Sequence, residues 1–297
     1  MKQQSRLLLT LMQGAGIGAV ALAGGSLLST DALAGVSDTR HNLGASGTVL
    51  GANQTTNTAD VCVFCHTPHS SNSATGAPPL WNKNLPSNTY TMYSSSGSST
   101  LDAANNSGSL AAGSTSLACL SCHDGTQAID NVINAPGSGG YNATGGGATG
   151  LAFNWTSSAT LDTDGKISNQ ATNLGTDLSN DHPIGVAYCG GVATGAYGDG
   201  GTAGCIDGDF KNIRKVGSGS SAQYWVDVTG GTGAREKTDM YLYTRQFGGS
   251  FNGDGYGPSV ECGSCHDPHV VAKETNQVAF LRVSQSSSGL CLSCHAK

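Results

Sequence analysis

Four segments of the chain share one spacing of two cysteines and a histidine: Cys62-Val63-Phe64-Cys65-His66, Cys119-Leu120-Ser121-Cys122-His123, Cys262-Gly263-Ser264-Cys265-His266 and Cys291-Leu292-Ser293-Cys294-His295. Cysteines three apart lie about one helical turn from each other, so both thiols can face one partner. This is the attachment pattern of c-type haem: each thiol adds to a vinyl group of the porphyrin, and the adjacent histidine becomes the proximal iron ligand. A lone C-x-x-C also serves zinc or thiol–disulfide exchange. The same histidine after all four pairs selects haem, and implies four covalent haem c groups.

The remaining histidines sharpen this. The chain has 8 in all. His66, His123, His266 and His295 belong to the motifs, which leaves His41, His69, His182 and His269. Four irons with two axial histidines each need that number. His69 lies three residues after His66, and His269 three after His266. A thioether-fixed histidine already holds one face of its own iron, so its neighbour cannot reach the opposite face and must serve another haem. By the repeat, His69 is expected at the haem of Cys119 and Cys122, and His269 at that of Cys291 and Cys294. His41 and His182 are then expected at haems of their own halves, unless one crosses to another subunit. Bis-histidine iron changes oxidation state but has no open position for a substrate, which favours electron transfer over catalysis. Met92 and Met240 are the alternative ligands, and a His/Met haem would have a raised potential.

The composition fits a chain built around such groups. Glycine is 44 of 297 residues, aromatic residues are 6% and charged ones 11%. Side chains of this kind cannot build a large core, whereas each porphyrin is an apolar plate that can replace many of them. Lys2 and Arg6, the apolar stretch Leu7 to Leu28 and Ala32-Leu33-Ala34 read as a secretory leader cut before Gly35. Residues 1–34 are therefore expected to be removed, leaving 35–297 as the tetrahaem domain. No later apolar run approaches the roughly 20 residues of a membrane span. Loss of Lys2, Arg6 and Asp31 turns 14 basic and 20 acidic residues into 12 and 19. That balance argues against a nucleic-acid partner.

The domain reads as two diverged halves, roughly 35–134 and 175–297, with a Gly-rich connection. Each has a leading histidine (His41, His182), then C-x-x-C-H-x-P-H, then C-L-S-C-H, as expected of a duplication. Residues 94–116 and 135–150 are polar spacers without periodicity, expected as loops. Gln223–Val228 and Met240–Thr244 predict a β-hairpin. Short helices are expected at the motifs, and Pro68, Pro183 and Pro268 argue against long ones. Lys211, Arg214 and Lys215 read as a solvated basic cluster or as partners for propionates. Cys189 and Cys205, left over in an exported chain, predict a disulfide. Asp162-Thr163-Asp164-Gly165 resembles the start of a calcium loop but lacks its closing acid, and reads as a turn.

Several of these segments resemble the tetrahaem outer-surface cytochromes of the OmcE type: Cys62 to His69, Pro79-Leu80-Trp81-Asn82, Cys119 to Thr126, His182-Pro183-Ile184 and Val260 to His269. The resemblance runs through most of the mature chain in motif order. It implies a mostly irregular fold with short haem-binding helices and a few short strands, wrapped around a chain of four haems. It also implies a head-to-tail homopolymer, an extracellular filament that passes electrons to redox proteins or extracellular acceptors. A discrete tetrahaem carrier, periplasmic or at the cell surface, and a multihaem oxidoreductase stay open. In a filament, His41, near the mature N-terminus, is the candidate to reach across a subunit boundary.

Overall fold

The motifs are joined by irregular chain, and regular structure is confined to short pieces. The computed structural model describes residues 35–47, 53–74, 77–94, 111–137, 140, 150–156, 160–190, 201–230, 233–248, 253–270 and 280–296. The chain divides into two compact units, Met1–Leu33 and Ala34–Lys297. The expected leader, 1–34, lies outside the described residues, as does most of the spacers at 94–116 and 135–150. The end of the first spacer is helical: Ser114 begins helix α1, Ser114–His123. None of the described helices is long and apolar enough to cross a membrane.

The expected hairpin is real but forms the middle of a larger sheet. Six strands lie in the order β1-β6-β5-β4-β3-β2, all antiparallel. They are β1 Val186–Ala187, β2 Gly201–Ala203, β3 Ile213–Val216, β4 Gln223–Val226, β5 Met240–Gln246 and β6 Tyr256–Val260. The hairpin pairs Tyr224 with Leu242 and Val226 with Met240. Its neighbours carry weak strand signals. β1 has two residues, β6 contains Gly257 and Pro258, and β3 includes Arg214 and Lys215.

This corrects the reading of Lys211, Arg214 and Lys215 as one solvated cluster. Alternation along β3 turns Lys215 inward, where it is buried and sits over the Tyr224 ring. Arg214 faces the other way and pairs with Asp227 at 3.2 Å. The Asp162 segment is a turn, as expected. Asp162 Oδ1 accepts the N–H groups of Asp164 and Lys166, both at 2.9 Å.

Among the described residues, apolar packing occurs in three small clusters. The largest lies against the sheet: Tyr188, Cys189, Ile213, Ala222, Tyr224, Val226, Met240 and Leu242. The others centre on Ala112, Leu120 and Leu178, and on Ile129, Leu161 and Ile167. Met240 is buried in the first, and Met92 packs against the second. Both methionines therefore serve packing.

The sheet cluster is bounded by the Cys189–Cys205 disulfide, with Cα atoms 5.3 Å apart across 16 residues. Closing a loop of that size removes unfolded-state entropy worth about 3 kcal/mol. We expect unreduced peptide mapping to recover Cys189 and Cys205 as one linked pair. The double change Cys189→Ala/Cys205→Ala should lower unfolding stability by about 3 kcal/mol. Two alkylatable thiols in the folded native chain would contradict this.

Candidate functional site

Each cysteine pair sits on a single helical turn. At the first motif the histidine N–H donates back to the carbonyl of the first cysteine, His66 to Cys62 at 2.7 Å. The same bond forms from His266 to Cys262 at 3.0 Å and from His295 to Cys291 at 2.9 Å. The third motif forms helix α2, Cys262–Cys265, and the fourth ends helix α3, Gly289–Cys294. The second motif ends α1. The serines of the two C-L-S-C-H motifs are buried. Ser121 donates to the Ala118 carbonyl at 2.6 Å and Ser293 to that of Gly289 at 2.8 Å. A serine can sit inside these turns because its hydroxyl bonds to the preceding turn.

The first and third motifs also share their surroundings. Thr67 N–H donates to Leu80 O at 2.9 Å and Asn82 N–H to Cys65 O at 2.8 Å. The equivalent pairs 200 residues later are Asp267 to Phe280 at 2.8 Å and Arg282 to Cys265 at 2.9 Å. Leu80 and Phe280 both take the left-handed backbone conformation, with φ of 57° and 69°. That conformation costs a non-glycine residue roughly 1 kcal/mol or more, yet it occurs at the same place in both copies.

Two buried polar groups hold these pieces together. Both carry the chemistry of ordinary surface residues, and no spacing in the sequence singles them out. Lys83 is fully buried, and its ammonium donates to the carbonyls of Ala128, Ile129 and Asn131 at 3.2, 3.2 and 2.9 Å. It thereby ties the loop after α1 to the first motif. Glu261, directly before Cys262, is also buried. Its carboxylate accepts from Ser116 Oγ at 2.6 Å, Gly113 N–H at 3.1 Å, Ser259 Oγ at 3.0 Å and Arg245 Nη1 at 2.5 Å. Cys262 N–H in turn donates to Ser116 Oγ at 3.1 Å. The second and third motifs are therefore fastened side by side.

The sulfur atoms of successive motifs approach one another. They follow each other in sequence order. Cys65 lies within electrostatic range of Cys122. Cys119 hydrogen-bonds to Cys262, and Cys265 neighbours Cys291 and Cys294. Burial pushes the thiols of Cys65 and Cys294 up to about 12 and that of Cys265 to about 11.

Next to the first motif is a cavity of about 710 Å³, walled by Cys62, Val63, His66, His69 and the 134–137 segment. Volumes of this order hold whole cofactors. Among the described residues, no group of three or more His, Cys, Asp or Glu is arranged to hold a metal ion alone. The donors come as cysteine pairs and single imidazoles, which fits a ring that brings its own four nitrogens.

The histidines are prepared as ligands. Nδ1 of His66 lies 3.2 Å from Pro79 O, that of His123 2.7 Å from Thr172 O, and that of His182 3.1 Å from Pro183 O. A carbonyl only accepts, so each Nδ1 carries the proton and each Nε2 keeps its lone pair. His269 Nδ1 is 3.2 Å from Asp267 Oδ1, the carboxylate–histidine arrangement common behind metal ligands. Burial lowers His66 and His182. It takes His41 to about 4, helped by the nearby His123, His269 and His266. Neutral imidazole is the form that binds metal.

Of the eight histidines, the structure brings His41 to 6.2 Å from His123 between ring centroids, and His66 to 6.2 Å from His269. His182 lies close enough to His295 to feel its charge. His69 lines the cavity beside the first motif. His269 thus lies beside the histidine of the first motif, and His69 on the wall of the cavity next to it. A repeat in sequence fixes local structure, but not which half each side chain faces. The His41 ring stacks on Phe280, with centroids 4.1 Å apart.

A family model described as a doubled CXXCH motif matches residues 258–297, the third and fourth motifs. Comparison with curated proteins finds no match. The paired motif supports a multihaem c-type cytochrome with covalently bound haem c, an electron-transfer carrier.

Because Glu261 joins the second and third motifs, Glu261→Gln should destabilise the folded chain by about 2 kcal/mol, the scale of a buried charge-assisted hydrogen bond. Chemical denaturation of the purified protein measures this. An unchanged midpoint would show that the link is dispensable.

Proposed function

We propose that the chain carries electrons through four covalently bound haems, each held by two histidines, as the subunit of an extracellular homopolymeric filament. The observation that carries the electron-transfer reading is the order of the attachment points. Neighbouring motifs approach each other one after another, from Cys65 to Cys122, from Cys119 to Cys262 and from Cys265 to Cys291. Haems attached along such a line form a continuous conduit. The group supplies reversible iron redox chemistry. The chain's residues anchor it by sulfur, ligate it through Nε2 and keep water from much of its surface.

Cys62, Cys65, Cys119, Cys122, Cys262, Cys265, Cys291 and Cys294 are the anchors. His66, His123, His266 and His295 are the proximal ligands, with His41, His69, His182 and His269 opposite. Held by a histidine on each side, such an iron would have no open position for a substrate.

Exposure at the two end motifs supports the polymer. Cys62 in the first motif and Cys291 in the last are exposed, whereas both cysteines of each inner motif are partly covered. Haems at the two ends would therefore show apolar edge to solvent, and such patches mark interaction surfaces. Different surfaces at the two ends make a head-to-tail contact, which continues into a fibre when it does not close. The leader at 1–34 supports export to the cell surface. A discrete carrier with the same four haems is the second reading, favoured by the same conduit if the end haems are covered by another protein.

Electron microscopy of material sheared from cells should show haem-staining filaments that contain this chain. A protein that stays monomeric in sedimentation at every concentration, and forms no filaments on cells, would replace the polymer with the discrete carrier.

A further inference from the structure

We propose that one distal ligand crosses between the halves and that a second is positioned by the other half. His269, from the second half, would be the distal ligand of the haem anchored at Cys62 and Cys65, opposite His66. His41 would be the distal ligand of the haem anchored at Cys119 and Cys122, opposite His123. This rests on the four-haem reading above and adds to it which imidazoles share an iron.

The first observation is separation. Metal–imidazole bonds are about 2 Å long, which spaces the ring centroids of two trans imidazoles roughly 6 Å apart. The centroids of His66 and His269 are 6.2 Å apart, and so are those of His41 and His123. No side-chain bond between the two rings accounts for either distance.

The second observation is which nitrogen is available. His66 is held through Nδ1 by Pro79 O, His123 by Thr172 O and His269 by Asp267. In three of the four rings the nitrogen left over is Nε2, the one a trans ligand would use. Asp267 is itself fixed by Arg282 Nη1 at 3.3 Å, so the group that orients His269 is anchored on its own half. His41 is oriented by its face against Phe280, with ring planes 14° apart.

The third observation links the two assignments. Phe280 belongs to the stretch that pairs with Asp267, so the residue backing His41 and the one backing His269 share a hydrogen bond, Asp267 N–H to Phe280 O at 2.8 Å. Gly35 N–H donates to His269 O at 2.9 Å, which joins the start of the first half to the same place. One small segment of the second half thus positions distal ligands for both haems of the first half. The consequence is mechanical as well as electronic: iron at the first motif would tie the two halves together by coordination.

The test compares ferric spin states in four-haem and three-haem chains. His269→Ala in the full chain should turn one haem in four high-spin by electron paramagnetic resonance. In a Cys62→Ala/Cys65→Ala chain, which lacks the first haem, the same change should add no high-spin signal. A high-spin haem appearing there would show that His269 serves a different iron, and the assignment would fall. The matching pair is His41→Ala with and without Cys119→Ala/Cys122→Ala.

If the three-haem chains do not accumulate, His269→Met in the four-haem chain gives the same answer. The methyl of the introduced side chain should show nuclear Overhauser contacts, in the reduced protein, to the haem bound by His66. Contacts to the haem bound by His295 would overturn the assignment. Failure of the wider reading looks different: wild-type protein with fewer than four haems, or with a high-spin haem before any substitution.

Discussion

The hydrogen bond from a motif histidine N–H to the carbonyl of the first cysteine, four residues back, is the small constraint on which the molecule depends. It closes one helical turn, sets two sulfurs on one side and aims the imidazole along the same edge. At the first, third and fourth motifs it appears as a separate turn or a very short helix. At the second it is the end of α1. Two buried charges tie such turns to their neighbours. Glu261 fastens α1 to α2, and Lys83 fastens the chain after α1 to the first motif. These buried charges have many partners each, as they must, because an uncompensated charge in the interior costs several kcal/mol.

The apolar clusters are too small and too separate to organise the chain. Only the one beside the sheet has the character of an ordinary core, and it contains the disulfide. A porphyrin held by the motifs would supply apolar bulk and make binding part of folding.

Much of the site was legible in the sequence because covalent haem attachment demands contiguous residues. Five positions in a row state the chemistry without help from the fold. The Cys189–Cys205 pair was legible by subtraction. The hairpin was legible from Tyr224-Trp225-Val226 and Tyr241-Leu242-Tyr243, whose aromatic and β-branched side chains fit a pleated surface. The rest of the sheet was not, because β6 contains Gly257 and Pro258 and β1 is two residues long. Glu261 and Lys83 carried no signal: a charged residue in a polar chain reads as surface. The histidine pairing was hidden for a related reason. Spacing says that His269 cannot serve its neighbour's iron, but only the tertiary path of the chain brings His41 near His123 and His269 near His66.

The central claim is that four turns of one kind each carry a haem. Intact-mass measurement of the native chain, followed by peptide mapping, tests it most directly. The account predicts four haem additions, one each at Cys62/Cys65, Cys119/Cys122, Cys262/Cys265 and Cys291/Cys294. Two additions confined to the last two pairs, with free thiols at Cys62, Cys65, Cys119 and Cys122, would contradict it.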